Sequence, residues 1–185
     1  MTSFNWTTHI ALQPTNKLAL VTAHGGMTYG ELNIRLSAVR TLLMQKGLKP
    51  GHQLLLGVTD ERQLLCIVLG AMSMGVVPML MDTDLPQVAA SDLVDRFQPH
   101  CAVVDQQLAQ RWALSCPTWA IEAEPAPQKG ALLKRLLSRQ QRSDSGFFHE
   151  LDAVTSIAPP VIFKDAEIAL IFLRLDPPAS PKRFS

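Results

Sequence analysis

The sequence has no excess of charge of either sign. It contains 17 Lys plus Arg against 16 Asp plus Glu, so the formal net charge is +1. Without surplus cations to neutralise phosphates, this composition argues against nucleic-acid binding. Hydrophobic residues make up 47% of the chain and charged residues 18%, which is typical of a folded protein rather than a disordered one. The length of 185 residues suits one domain, or one and a half.

Cysteine is also scarce. The three cysteines are odd in number and no two have Cys-x-x-Cys spacing, so we expect neither a disulfide framework nor a zinc site. Free thiols in a reducing cytoplasm are the simpler interpretation. No two histidines stand at metal-ligand spacing, and we interpret all five as surface or turn residues. The N-terminus has no basic region followed by an apolar one, so no signal peptide is predicted.

One long uncharged stretch, residues 63–81, needs to be compared with a membrane span. Its length is close to the about 20 residues that a bilayer requires. However, Gly70, Ser73, Gly75 and Pro78 interrupt it. Gly75 and Pro78 are typical of the end of a helix and the beginning of an extended segment. We therefore predict a buried helix followed by a buried strand, and no membrane span.

The common catalytic sequence motifs are absent. The sequence has no phosphate-binding Gly-Lys-Ser or Gly-Lys-Thr loop, no Gly-x-Gly-x-x-Gly after the first strand and no Gly-x-Ser-x-Gly. The His24-Gly25-Gly26 tripeptide predicts a tight hairpin turn. Asp82 and Asp84 follow a strand, at the edge where α/β sheets bind ligands, but a capping or turn role is the simpler interpretation. No catalytic residue and no metal ligand is assigned.

Short apolar segments alternate with helical segments along most of the chain. Strands are predicted at 18–23, 53–58, 76–81, 101–105, 118–123 and 167–173. Helices are predicted from a Thr28–Glu31 capping box to Gly47, from Thr59 or Asp60 to Met74, at 89–97, at 106–112 and at 131–141. This alternation predicts an α/β fold with a doubly wound, mostly parallel sheet. The expected organisation is an α/β subdomain at 1–123, a linker and amphipathic helix at 124–166, and a last strand with its tail at 167–185.

Three segments resemble core motifs of the adenylate-forming enzymes, which include acyl-CoA synthetases, fatty acyl-AMP ligases, luciferases and peptide-synthetase adenylation domains. Residues 27–32 (MTYGEL) resemble the first core motif, and residues 69–82 (LGAMSMGVVPMLMD) resemble the second. Residues 47–52 (GLKPGH) resemble a G-x-x-P-G-D turn, with His52 where an Asp is usual. The similarity extends over essentially the whole chain. It implies the N-terminal subdomain of such an enzyme.

The end of the chain resembles the family's phosphate-binding strand and loop, but the loop is altered. Residues 168–173 (IALIFL) are similar to the strand, whereas residues 174–183 read RLDPPASPKR in place of TSGTTGxPKG. The prolines at 177–178 have no N–H to donate to a phosphate, and Asp176 adds negative charge beside it. We therefore expect weak binding of ATP and magnesium at best. The remaining candidate phosphate ligands are Ser180, Lys182 and Arg183.

The resemblance implies a chain related to ATP-dependent, acid-activating ligases that does not catalyse alone. The family places its adenine-binding segment, its magnesium-binding Glu and its catalytic Lys further along than Ser185, so we expect an N-terminal fragment or pseudo-domain. One alternative is a split ligase that a partner chain completes. Another is a small flavodoxin-like binding module. Contact with a protein partner, or self-association, is predicted from apolar residues of the C-terminal third: Phe147, Phe148, Ile157, Val161, Ile162 and Phe172.

Overall fold

The computed structural model describes residues 6–22, 25–121 and 170–173. The helices are α1 (Trp6–Ala11), α2 (Tyr29–Gln45), α3 (Glu61–Met72), α4 (Gln87–Phe97) and α5 (Gln106–Trp112). The strands are β1 (Leu18–Thr22), β2 (Gly25–Thr28), β3 (Gln53–Gly57), β4 (Val77–Met81), β5 (Cys101–Asp105), β6 (Thr118–Ile121) and β7 (Ile171–Leu173). The predicted helix at 131–141 lies outside the described residues, as do the rest of the linker region and the tail from 174 onward.

Five strands form a parallel sheet with the order β6-β5-β3-β4-β7. In the central register, Leu55 of β3 lies opposite Met79 of β4 and Ala102 of β5. Helices cover both faces of such a sheet, which is why its strands are continuously apolar instead of alternating. The predicted doubly wound, mostly parallel α/β fold is confirmed.

The hydrophobic core has two layers, one on each face of this sheet. Leu54 and Leu56 point to the layer under α2 and α3, whereas Leu55 points to the layer under α4 and α5. Successive strand residues face opposite sides, so one three-residue run contributes to both layers. The 63–81 stretch divides into α3 and β4, and its lack of charge follows from this burial. Within the described residues, no helix is both long and apolar enough to cross a membrane.

A β-hairpin precedes the sheet. Strands β1 and β2 are antiparallel, with Thr22 opposite Gly25, which confirms a hairpin at this point. The prediction that Gly25 and Gly26 form the turn is wrong, because both residues belong to β2. Gly26 pairs closely with β1, and a Cβ on it would lie 2.8 Å from Leu18 Cδ2. A side chain at position 26 would therefore have to displace the exposed side chain of Leu18. Residues 23 and 24 lie outside the described residues.

The helix boundaries follow the capping signals in the sequence. Thr28 Oγ1 accepts from the Glu31 backbone N–H at 3.3 Å, while the Glu31 carboxylate accepts from the Thr28 N–H at 2.8 Å. The capping box of α2 is thus confirmed. Asp60 caps α3 by accepting from the Gln63 N–H at 2.8 Å. The short helix α1 was not predicted; it packs Trp6 against a small apolar cluster between the hairpin and the first turns of α2.

Candidate functional site at the carboxyl edge of the sheet

The topology creates a switch point between β3 and β5. From β3 the chain crosses to β4 on one side, and from β4 it returns to β5 on the other side of β3. In doubly wound sheets, ligands bind at the carboxyl ends of the strands beside such a reversal. The residues that occupy this place are Gly57 at the end of β3, the following Thr59, and Asp105 at the end of β5.

Asp105 joins the two strands at the switch point. Its side chain is only 8% exposed. Carboxylate Oδ2 accepts from the Thr59 backbone N–H at 3.0 Å and from the Thr59 hydroxyl at 2.5 Å. The second oxygen, Oδ1, is buried without a hydrogen-bond partner. The carboxylate therefore holds the loop that leads into α3, and its capacity to accept hydrogen bonds is only half used.

An indole ring fills the other side of the switch point. A Cβ on Gly57 would lie 2.5 Å from Trp112 Cζ3, so the ring packs directly on the glycine backbone. Trp112 is fully buried, and its Nε1–H donates to the Leu85 carbonyl at 2.9 Å. This hydrogen bond fixes the ring plane across the strand end. The side of the sheet under α4 and α5 is consequently closed by Trp112.

The carboxylates after β3 and β4 have structural partners. Asp60 is the α3 cap, and Asp82 Oδ1 accepts from the Asp84 backbone N–H at 2.9 Å in a tight turn. Arg111 of α5 donates to the Thr83 carbonyl of the same turn. The turn interpretation of the Asp82–Asp84 pair is confirmed. These side chains shape the edge of the sheet instead of forming an acid–base pair.

The strand that resembles the family's phosphate-binding strand ends at this same edge. Leu173 of β7 lies opposite Met81 of β4, and the Asp82 turn follows Met81. The candidate ligands Ser180, Lys182 and Arg183 lie outside the described residues. The described part of the edge carries carboxylates, and its Arg111 is engaged with a backbone carbonyl.

Nucleophilic and metal chemistry find little support in the described residues. There, no three His, Cys, Asp or Glu side chains come together as a metal site. Burial raises the pKa of the Cys66 thiol to about 11 and that of Cys101 to about 12. Thiols with such pKa values are almost entirely protonated at neutral pH and are poor nucleophiles.

Two polar features were missed by the sequence analysis. Arg40 is buried between α2 and α3, where it donates to Ser73 Oγ at 3.2 Å and to Ser37 Oγ at 2.8 Å, and burial lowers its pKa. Arg40 follows Leu36 by four positions and so lies on the apolar face of α2, and this spacing was the sequence signal available for its burial. At the opposite, amino edge of the sheet, His52 and His100 stack on each other. They are 48 positions apart in the sequence, and no local pattern connects them.

A family model described as AMP-binding enzyme matches residues 6–172. The chain belongs to the AMP-binding enzyme family. This match confirms the resemblance to adenylate-forming enzymes that the motifs at 27–32 and 69–82 indicated. The matched region ends just before residue 174, where the altered loop sequence begins. No curated protein matches the chain.

Three solved structures illustrate the similarity of the fold. A benzoate CoA ligase from Burkholderia xenovorans LB400 is 23% identical with a TM-score of 0.70, covering 90% of this chain and 32% of that one. An acyl-CoA synthetase from Brucella canis is 16% identical with a TM-score of 0.74, covering 96% and 32%. VinN in complex with 3-methylaspartate is 18% identical with a TM-score of 0.67, covering 89% and 41%. These likenesses show the fold, and this chain spans about a third of the length of the first two.

Proposed function

We propose that this chain is the N-terminal part of an ATP-dependent ligase that activates carboxylic acids, and that it does not form acyl adenylates by itself. The observation that carries the proposal is the family match over residues 6–172, which stops before the altered loop. The solved relatives are about three times longer than the matching region. Benzoate and 3-methylaspartate, named for two of them, are both carboxylic acids, and this supports a carboxylate substrate class.

The reaction requires a site that holds a polyphosphate. In acyl adenylation, a carboxylate oxygen bonds to the α-phosphorus of ATP and pyrophosphate leaves with its electron pair. The enzyme has to stabilise that charge with N–H groups, hydroxyls or cations. Here the loop contains Pro177 and Pro178, which have no N–H, and Asp176, which repels phosphate. The loop sequence therefore supports a chain that binds ATP weakly.

Two measurements on the purified chain test this proposal. Calorimetric titration with Mg-ATP should show no saturable binding up to millimolar nucleotide, and Lys182→Ala should behave like the wild type. Acid-dependent pyrophosphate release should stay at the background rate with benzoate, aspartate and fatty acids. In a loop-restored variant, residues 174–183 are replaced by the family's TSGTTG-type sequence, and nucleotide binding should appear. Acid-dependent pyrophosphate release by the unmodified chain would overturn the proposal.

A second candidate is one chain of a split ligase completed by a partner. The observation that favours it is Phe172 of β7, which is 71% exposed beside the half-buried Leu80 on the neighbouring strand. Of the apolar residues on which self-association was predicted, Phe172 is the one within the described part of the chain. Light scattering should show concentration-dependent association that Phe172→Ser reduces. A clean monomer whose scattering Phe172→Ser does not change would argue against this candidate.

The proposal includes a cytoplasmic location. The free thiols of Cys66, Cys101 and Cys116 suit a reducing compartment. Fractionation of cells that express the full chain would test this. Recovery in an oxidising compartment, with these cysteines in disulfides, would contradict it.

A further inference from the structure

Two histidines from distant parts of the chain form one unit at the amino edge of the sheet. His52 immediately precedes β3 and His100 immediately precedes β5, two strands that are neighbours. The centroids of the two imidazole rings are 3.9 Å apart and the ring planes differ by 15°. Each ring therefore lies flat against the other.

The hydrogen bonds of this unit assign the tautomer of each neutral ring. His52 Nδ1 accepts from the Lys49 backbone N–H at 3.3 Å, and His100 Nδ1 accepts from the Gln53 backbone N–H at 3.1 Å. A backbone N–H can only donate, so each Nδ1 presents a lone pair and the proton of each neutral ring resides on Nε2. An imidazolium carries N–H groups on both nitrogens. A protonated ring would therefore turn its Nδ1–H against another N–H.

Positive charge near the rings opposes protonation further. Partial burial lowers the pKa of His52, and two charged or titratable groups lower it further: His100 at the start of β5 and Lys49 on the turn before β3. The turn between α3 and β4 also packs here, through Gly75 against Pro50, but Met74, Gly75 and Val76 bring no charge. If both stacked imidazoles were charged, the two like charges would also repel each other.

We propose that His52 and His100 form a proton-sensitive clasp that ties the amino ends of β3 and β5 when both rings are neutral and opens when either ring gains a proton. The clasp joins two strands at the centre of the parallel sheet. Its opening releases the Lys49 and Gln53 amides and separates the stacked rings. The switch is independent of any catalytic activity of the chain, and it makes the sheet's amino edge responsive to mild acid.

The direction of the pH effect follows from linkage. Folding lowers the pKa of His52 below its ordinary value of 6.5, so in mild acid the unfolded or opened chain binds a proton that the closed clasp does not. The closed state is fully favoured above that value, and its advantage is lost as the pH falls toward the lowered pKa. Each pKa unit of lowering corresponds to about a tenfold change in the opening equilibrium.

Amide hydrogen exchange on the full chain, corrected for the intrinsic rate, tests the clasp. We expect the Lys49 and Gln53 amides to lose protection as the pH falls from about 7.5 to about 5. In His52→Asn and His100→Asn, the Asn oxygen takes the place of Nδ1 as acceptor but does not titrate. Their double variant should keep protection at both pH values. His9→Asn, a histidine of α1, is the matched control and should retain the wild-type loss.

Two outcomes would overturn the proposal. Unchanged protection of both amides at about pH 5 in the wild type would show that protonation does not open the clasp. An Nδ1–H tautomer for either ring in ¹⁵N spectra at about pH 7.5 would contradict the hydrogen-bond assignment. Both measurements use the unmodified chain, so they decide the matter even where an Asn variant folds poorly.

Discussion

The contact between Gly57 and Trp112 gives a quantitative test of how the switch point is built. An alanine Cβ at position 57 would lie 2.5 Å from Trp112 Cζ3 and 2.9 Å from Cη2, both well inside van der Waals contact. The ring cannot turn away freely, because it is fully buried and its Nε1–H is bonded to the Leu85 carbonyl. Overpacking of this kind costs about 1–3 kcal/mol. Since Gly57 is not among the glycines with positive φ, its backbone does not oppose alanine.

The expected result for Gly57→Ala is a loss of about 1–2 kcal/mol in the free energy of unfolding. The cost of overpacking is partly offset, because alanine restricts the unfolded chain more than glycine does and thereby stabilises the folded state by about 0.4–1 kcal/mol. Trp112→Phe removes the ring atoms that face position 57. By itself it leaves a gap and an unpaired Leu85 carbonyl, at a cost of about 2–3 kcal/mol. In the double variant the new methyl occupies part of that gap. We therefore expect the combined loss to fall short of additivity by about 1–2 kcal/mol.

Urea denaturation followed by circular dichroism measures these differences, and comparable m-values would show that the same transition is compared. Trp119→Phe is the matched control, because this half-buried indole of β6 packs in the other core layer. Its effect should add to that of Gly57→Ala within about 0.5 kcal/mol. Additive losses for Gly57→Ala and Trp112→Phe would refute the argument that the ring packs on the Gly57 backbone.

Two further predictions concern α2 and the thiols. Thr28→Ala should lower the free energy of unfolding by about 1 kcal/mol. Hydrogen bonds from Thr28 lower the pKa of Glu31, so the difference in unfolding free energy should shrink as the pH falls through that lowered pKa. Urea titrations at several pH values would measure this difference, and a difference that stays constant with pH would contradict the prediction. Since burial raises the pKa of Cys66 to about 11, a thiol reagent at neutral pH should label it about a hundredfold more slowly in the folded chain than in urea. Equal rates would refute the burial.

Local signals in the sequence were sufficient for most of the fold. The Thr28–Glu31 pair and Asp60 place helix starts correctly because a cap is formed by residues only three positions apart. Continuously apolar runs predict parallel strands because both faces of the sheet are covered. The two errors of the sequence prediction, at Gly25–Gly26 and at α1, also have physical causes. Gly25 and Gly26 have weak strand preference, and pairing with β1 overrides it. The helix α1 has six residues, too few to show a clear period.

The candidate site also has one part that the sequence predicts and another that only the structure reveals. The altered composition of residues 174–183 is visible in the sequence, and proline's missing N–H supports the proposal that this loop binds phosphate weakly. The partners of Asp105 are not visible in this way. Its contact with Thr59 spans 46 positions, and it exists because β3 and β5 end side by side.

The sequence by itself determined the alternation of strands and helices, the caps and the family resemblance, and it showed the altered composition of the loop. Each of these depends on residue type and short-range spacing. Only the tertiary structure decided that Trp112 closes the switch point, that Arg40 is buried between two helices and that His52 stacks on His100. These contacts join residues that are far apart in the chain, and they depend on the order in which parallel strands assemble, which no local pattern encodes.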